Sequence, residues 1–365
     1  MLLAAAGAVA QETPAPTPAP APPEPEAPAP APTPAPSTAG AVNPTFFNPA
    51  IAVIGNFLAS TGNNPFDPTP AFQVRESEVS FQAIVDPYAR ADLFLSFNDH
   101  GVDVEEGYIT FLNLPWQTQA KAGKFKVQFG KINTLHLHVL PWVDEPLPFS
   151  DLLLSPDTWE AEGISFSKVI ELPGDTFSEL TVQILDGTSG ALFIAPYKSD
   201  LTYNGQYRLF RDFGDDHNLE VGFSYAHGYN GTSLTNITTL QNADLVYRWK
   251  PLQGRPYRSF IVHSEYFWSQ REQPDGTQKG QGFFASGDWQ LARQWYTGAR
   301  YEFSDRATNA AQRDKGVAAT LTFMPSEFSM LRAEYRYREY APGIKANEGF
   351  LQIQFAIGAH GAHPF

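Results

Sequence analysis

From Pro49 onward the chain alternates oily and polar residues with a period of two. Near the C-terminus Leu351, Ile353, Phe355 and Ile357 alternate with Gln352, Gln354, Ala356 and Gly358. The same division recurs where Leu219, Val221, Phe223 and Tyr225 oppose Glu220, Gly222 and Ser224, and where Leu201, Tyr203 and Tyr207 oppose Thr202, Asn204, Gln206 and Arg208. A soluble sandwich also alternates, so the content of the two faces decides. Leu331, Ala333, Tyr335 and Tyr337 oppose Arg332, Glu334, Arg336 and Arg338, and Leu245, Tyr247 and Trp249 oppose Asp244, Val246, Arg248 and Lys250. Strands with charge along one side suit a transmembrane barrel, whose apolar face meets lipid and whose charged face meets water, with Tyr and Trp near the strand ends. Trp249, Trp268, Trp289 and Trp295 all fall near predicted ends.

About sixteen such segments fit between residue 50 and residue 358, which predicts an all-β fold, an antiparallel up-and-down transmembrane β-barrel. Connections after even-numbered strands are mostly tight, as at Asp86-Pro87-Tyr88, Leu114-Pro115-Trp116 and Pro325-Ser326-Glu327. Those after odd-numbered strands are mostly longer and polar: Ser60 to Pro70, Thr188 to Pro196, Gly228 to Thr238, Arg271 to Lys279 and Asp305 to Asp314. Asn98 to Gly101 is shorter and Arg211 to Asn218 longer than this rule expects. Such asymmetry belongs to an outer-membrane barrel with both termini on the periplasmic side.

Composition narrows the class further. Charged residues make up 18% of the chain against a usual ~25%, aromatics 14%, and there are 28 Gly and no Cys, which excludes disulfides and thiolate metal sites. The net charge of -14 gives no basic footprint for nucleic acid. No apolar run past the N-terminus is long enough for a helical span. Residues 1–10 read as a signal peptide, with an apolar Leu2 to Ala10 and an Ala8-Val9-Ala10 cleavage pattern but without a basic start. Residues 11–42, where nearly every second residue from Thr13 to Ser37 is Pro, read as a disordered periplasmic linker, leaving 43–365 for the barrel.

The longest connection follows the fifth strand. Gly130 to Trp159 carries Pro141, Pro146, Pro148 and Pro156, which bar a regular strand, among Trp142, Phe149 and Leu152 to Leu154. A structureless loop of this length is uncommon unless functional, so it is expected to fold into the lumen as a constriction, the alternative being an ordered cap on the rim. Its candidate constriction residues are His136, His138, Asp144, Glu145, Asp151 and Asp157. His136 and His138 would share a face if the backbone were extended, and His360 and His363 lie near the chain end. Two separated pairs supply too few ligands for a metal site, so they read as lumen-edge or interfacial histidines, with no metal and no cofactor.

The segment Gly123-Lys124-Phe125-Lys126-Val127-Gln128-Phe129-Gly130 resembles the G-x-F-K-x-x-F-G stretch of the phosphate-selective porin O and P family, at the end of the strand before the third loop. Val79 to Phe97 is similar to the adjoining hairpin in that superfamily. The resemblance implies a sixteen-stranded porin, with a homotrimer as one assembly open to it. It does not imply phosphate selectivity, which needs a lumenal Arg ladder and a ring of loop Lys. The candidate pore-lining residues here mix Arg90, Arg208, Arg248, Arg300, Arg332, Arg336 and Arg338 with Glu76, Glu78, Asp92, Glu106, Glu302 and Glu334, and the loop has no Lys between Ile132 and Trp159.

No nucleophile elbow, phosphate loop or zincin helix occurs, so an enzyme is not expected. The reading is an outer-membrane porin that passes small hydrophilic solutes or ions, set in outer-membrane lipid. Its terminal Phe365 continues the parity of Leu351 to Ile357, as in the signal read by the barrel-assembly machinery. The alternative is a structural anchor tied to the cell wall through the Pro-rich segment. Acidic loop residues predict weak cation selectivity or near neutrality.

Overall fold

The computed structural model describes residues 49–98, 101–155, 158–174, 176–251 and 257–358. The expected signal peptide and linker, together with Asp157, His360, His363 and Phe365, lie outside the described residues.

Sixteen antiparallel strands close into one barrel, each paired with its sequence neighbours and the first with the last. The first half comprises β1 (Ala50–Asn63), β2 (Phe72–Asp86), β3 (Ala89–Asn98), β4 (Gly101–Leu114), β5 (Thr118–Lys126), β6 (Glu160–Leu172), β7 (Thr176–Leu185) and β8 (Thr202–Phe213). The second comprises β9 (His217–Tyr229), β10 (Ile237–Trp249), β11 (Phe260–Gln273), β12 (Gly276–Ala292), β13 (Trp295–Arg306), β14 (Asn309–Ser326), β15 (Ser329–Tyr340) and β16 (Ile344–Gly358). The seam pairs Ala52 with Gly358 and Asn63 with Asn347, so the barrel has no open edge. That closure satisfies the backbone without water, which spanning a bilayer requires.

The two faces separate as the alternation predicts. Phe223 is 55% exposed while its neighbour Ser224 is 5% exposed, and Leu321 is 44% exposed beside Thr320 at 5%. Leu351, Ile353, Phe355 and Ile357 all point outward, and Arg332, Glu334, Arg336 and Arg338 all point inward. An aromatic ring stands exposed at each of several connections at the termini end: Tyr88, Trp116, Phe213, Tyr257, Trp295 and Phe328. This is the arrangement of an interfacial girdle. Of the other tryptophans singled out from sequence, Trp249 and Trp289 meet each other at 5.8 Å near that same end, and Trp268 is exposed on β11.

Two of the connections expected to be long loops are instead tight hairpins. β11 and β12 run on to pair Arg271 with Gln278 and Gln273 with Gly276, turning through the two residues Pro274 and Asp275. β13 and β14 likewise extend to Arg306 and Asn309. The extensions are polar on both faces, so they carry no apolar alternation to betray a strand, and ion pairs support them: Arg313 with Asp305 at 2.7 Å and Arg306 with Asp314 at 3.0 Å. Arg211 to Asn218 is also mostly strand, with only Gly214 to Asp216 between β8 and β9.

The outward register yields a direct test. Arg placed at Leu321 or Phe223 is expected to destabilise the barrel by roughly 2–4 kcal/mol, and Arg at Thr320 or Ser224 by much less. Equilibrium unfolding from lipid vesicles measures both; equal losses on the two faces would contradict the assigned register.

Candidate functional site: the lumen and the segment that crosses it

The segment between β5 and β6 lies inside the barrel. It starts as Val127 donates to the Trp159 carbonyl at 3.0 Å, and the Asn133 side chain ties the same neck by donating to the carbonyls of Val127 and Trp159. It continues through short 3-10 turns at Ile132–Thr134 and Leu137–Val139 and one helical turn, α1 (Leu147–Asp151). Phe129, Ile132, Leu140, Trp142, Phe149 and Leu152 are fully buried and pack with Phe193, Leu240, Phe267 and Phe284, inward residues of the facing connection and wall. The barrel thus holds an apolar core of its own, which explains the otherwise odd apolar residues on inward positions of β10 to β12. Placement on the rim is excluded, because rim residues would be wet.

Three polar fastenings hold the segment. At the first, Gly130 adopts φ +70, and a side chain there would fall on the Glu265 carboxylate, so the last glycine of the G-x-F-K-x-x-F-G stretch is required by close approach. Glu265 accepts the amides of Lys131 at 3.0 Å and Ile132 at 2.7 Å, Ser224 accepts that of Gly130, and Lys131 meets Glu220 at 3.1 Å. Burial pushes the Lys131 ammonium down, against the pull of Glu220. Arg208 and Arg248 turn to the same Glu220, at 3.5 and 3.7 Å.

The second fastening is an arginine clamp. Asp144 contacts Arg300 at 2.7 Å, Arg336 at 2.5 Å and Arg338 at 2.8 Å. Arg300, Arg332 and Arg338 also donate to the carbonyls of Asp144, Trp142 and Glu145, while Glu334 and Glu302 accept the amides of Val143 and Leu147. The remaining guanidinium edges meet Glu302 and Glu348. Burial pushes the Asp144 carboxyl up, but Arg338, Arg300 and Arg336 outweigh it and hold it well below the usual carboxylate range. The loop supplies few cations of its own, but the wall supplies three to Asp144, so this carboxylate does not stand as an unpaired acid in the lumen. Asp144, Glu302 and Glu348 together balance Arg300, Arg336 and Arg338.

The third fastening joins His136 and His138 to four carboxylates, Glu76 and Glu78 of β2 and Glu105 and Glu106 of β4. His136 Nδ1 lies 2.8 Å from Glu78 and 3.2 Å from Glu105, and its Nε2 lies 3.0 Å from Glu106. His138 Nδ1 lies 3.6 Å from Glu78 and 3.9 Å from Glu76. Burial disfavours the His136 imidazolium, but Glu78, Glu105 and Glu106 outweigh it and raise its pKa well above the ordinary value; His138 is pushed by burial down to about 4. The backbone here is not extended; a 3-10 turn from Leu137 stacks their rings 5.6 Å apart. Nor are they lumen-edge groups, since both are largely buried.

Sequence reasoning missed Glu105. The register of β3 against β4 shifts between Phe94 and Leu95, so Glu105 is an extra residue and points inward together with Glu106. The signal was the pair itself: strict alternation would have sent one of two adjacent carboxylates into lipid. Lys126, which reaches Glu105 at 2.6 Å, was also overlooked. Arg90 and Asp92 pair with each other at 2.6 Å, apart from these three fastenings.

Space remains on both sides of the segment. A chamber of about 720 Å³ opens between it and the walls of β1, β2 and β13 to β16, bordered by Asp144, Glu145, Asp151, Arg306, Arg336 and Arg338. A smaller one of about 190 Å³ lies toward the termini end, among Thr110, Lys121, Ser167, Glu179 and Gln183. Burial, with Asp314 adding to it, pushes the Asp151 carboxyl in the larger chamber up to about 8.

No family model matches the chain. An uncharacterized protein of Aquifex aeolicus (strain VF5) is 26% identical over 338 residues, covering 80% of this chain and 70% of that protein. Among solved structures, the outer membrane channel DcaP of Acinetobacter baumannii superposes with a TM-score of 0.58 at 12% identity, covering 85% of this chain and 96% of its own. The anion-selective porin from Comamonas acidovorans gives 0.58 at 10%, with 85% and 99% covered, and a loop-deleted OmpT of Vibrio cholerae gives 0.57 at 12%, with 85% and 99% covered. These likenesses support the general porin barrel and lend no specific support to the phosphate-selective porin O and P family.

Two outcomes test the lumen electrostatics. Asp144→Asn frees guanidinium charge toward the larger chamber, so the reversal potential in a salt gradient is expected to move toward anions; no movement would mean that the clamp does not face the conducting path. As pH rises through about 8, Asp151 loses its proton and adds negative charge, so the reversal potential is expected to move toward cations between pH 6.5 and 9, a shift smaller in Asp151→Asn. The closed barrel, its charged interior and the infolded third connection together give this chain the fold of a sixteen-stranded bacterial outer-membrane porin.

Proposed function

We propose that the protein is an outer-membrane porin through which small hydrophilic solutes or ions diffuse passively. The observation that carries this reading is the combination of an apolar, aromatic-rimmed outer face with a charged interior in which chambers flank an inward segment. The candidate pore-lining and constriction residues belong to this proposal as a set. Because so much of the lumen is filled, the channel is narrow and favours small solutes. Charge on its wall is largely paired, Arg300, Arg336 and Arg338 with Asp144, Glu302 and Glu348, which supports weak selectivity rather than a phosphate ladder. Kinship with the porin O and P family rests on the 123–130 segment and the Val79 to Phe97 hairpin.

The finer placement follows the same logic. The barrel sits in the outer membrane with its termini toward the periplasm, residues 11–42 act as a periplasmic tether, and residues 1–10 direct export. One of the similar structures is a trimer form of OmpT, and a homotrimer is the assembly we infer here. The aromatic end at Phe365 engages the assembly machinery.

Purified protein in planar bilayers is expected to give ion-conducting steps, and removal of residues 132–154 to raise their size at least twofold by emptying the lumen. Absence of steps from correctly folded protein would favour the structural-anchor reading.

A further inference from the structure

We propose that Glu78, Glu105 and His136 form a binding site for a divalent transition-metal ion of the zinc class, with Glu76 and His138 beside it to complete the coordination. This goes beyond the channel reading and does not depend on it.

Geometry comes first. Ligand atoms of a tetrahedral zinc stand about 3.3 Å apart, since each lies ~2.0 Å from the ion. His136 Nδ1 is 2.8 Å from Glu78 Oε2 and 3.2 Å from Glu105 Oε1, and the ligand atoms of the three residues lie within 4.8 Å of one another. Glu76, Glu78 and His138 form a second set within the same limit, sharing Glu78. The two sets meet at Glu78, so an ion held by Glu78, Glu105 and His136 has Glu76 and His138 as neighbours.

The second observation concerns hydrogen bonding. Glu76 Oε2, Glu78 Oε2 and His136 Nδ1 are buried and make no aligned hydrogen bond among the described residues, although Glu76 is only 6% and Glu78 only 2% exposed. Atoms that converge at such distances without sharing a proton in line are aimed at a common point.

Charge decides what occupies that point. Four carboxylates surround the two imidazoles, and among the described residues the cations that meet them are the His136 imidazolium and Lys126, the latter at 2.6 Å from Glu105 and shared with Glu160. A water molecule offers no charge to offset the excess, whereas a divalent cation does. Imidazole nitrogen with carboxylate oxygen is a donor set that suits zinc and its neighbours better than calcium or magnesium, which take oxygen alone. The outer partner is present too: Glu106 lies 3.0 Å from His136 Nε2, the carboxylate that orients a metal-bound histidine and makes it more basic. The ion would join the inward segment, through His136, to β2 through Glu78 and to β4 through Glu105.

The test uses the full chain, refolded in detergent, stripped with chelator and dialysed against Zn²⁺ at micromolar free concentration, with bound metal measured by mass spectrometry. One equivalent per chain is expected, with X-ray absorption reporting nitrogen and oxygen scatterers that include imidazole. Glu78→Gln and His136→Gln are each expected to weaken binding at least tenfold, and Glu106→Gln by about tenfold, whereas His360→Gln with His363→Gln leaves it unchanged. Heat-modifiable gel migration establishes that each variant is folded. Failure to retain stoichiometric zinc would overturn the proposal, as would retention that survives both Glu78→Gln and His136→Gln. If either variant does not fold, the wild-type absorption spectrum decides: a coordination sphere without imidazole overturns the site.

Discussion

A closed sheet of sixteen strands encloses more cross-section than its own inward side chains fill, and everything distinctive inside this barrel follows from how that space is spanned. The interaction on which the arrangement depends is the contact of Asp144 with Arg300, Arg336 and Arg338. Without it three guanidinium groups of β13 and β15 would keep only Glu302 and Glu348 between them, and the far end of the segment would lose the one side-chain charge that all three share. Removing one member of such a buried set typically costs about 3–5 kcal/mol, because the partners stay desolvated with less charge to offset them.

Polar fastening alone would leave the segment loosely held, and burial supplies the rest. The ring of Trp142 lies under Arg300 with 4.9 Å between the guanidinium carbon and the ring centre, and meets Phe284 edge-on. Phe129 and Phe149 both reach Phe267. The interior therefore combines an apolar centre with charged margins: the Asp144 clamp on one side, the Glu265 cradle on another, and the histidine and carboxylate cluster against β2 and β4. Each margin is built from strands remote in sequence. The channel that remains is what these contacts do not occupy, so its dimensions are set by packing and its charge by what the pairs leave over.

Much of the fold was legible in the chain. Alternation fixes which residues face lipid, and strands such as β15 and β16 carry it without interruption. The prolines of the third connection and its oily residues pointed to an ordered infolded segment. What remained hidden has physical reasons. Hairpin extensions that stand in water, as at Arg271 to Gln278, need no apolar face and so look like loops. A bulge turns Glu105 inward against the simple period of two. Partners such as Asp144 and Arg336, separated by 192 positions, are brought together by closure and cannot be paired from spacing. For the same reason His136 and His138 read as an isolated pair until β2 and β4 supply their carboxylates.

The central claim is that the third connection crosses the lumen as a packed, hydrogen-bonded element. Amide hydrogen exchange on the refolded barrel measures this most directly, because the amides of Lys131, Ile132, Val143 and Leu147 donate to the buried carboxylates Glu265, Glu334 and Glu302. These four amides are expected to be protected to an extent comparable with the central strands. Exchange within seconds, at the rate of an open loop, would contradict the account.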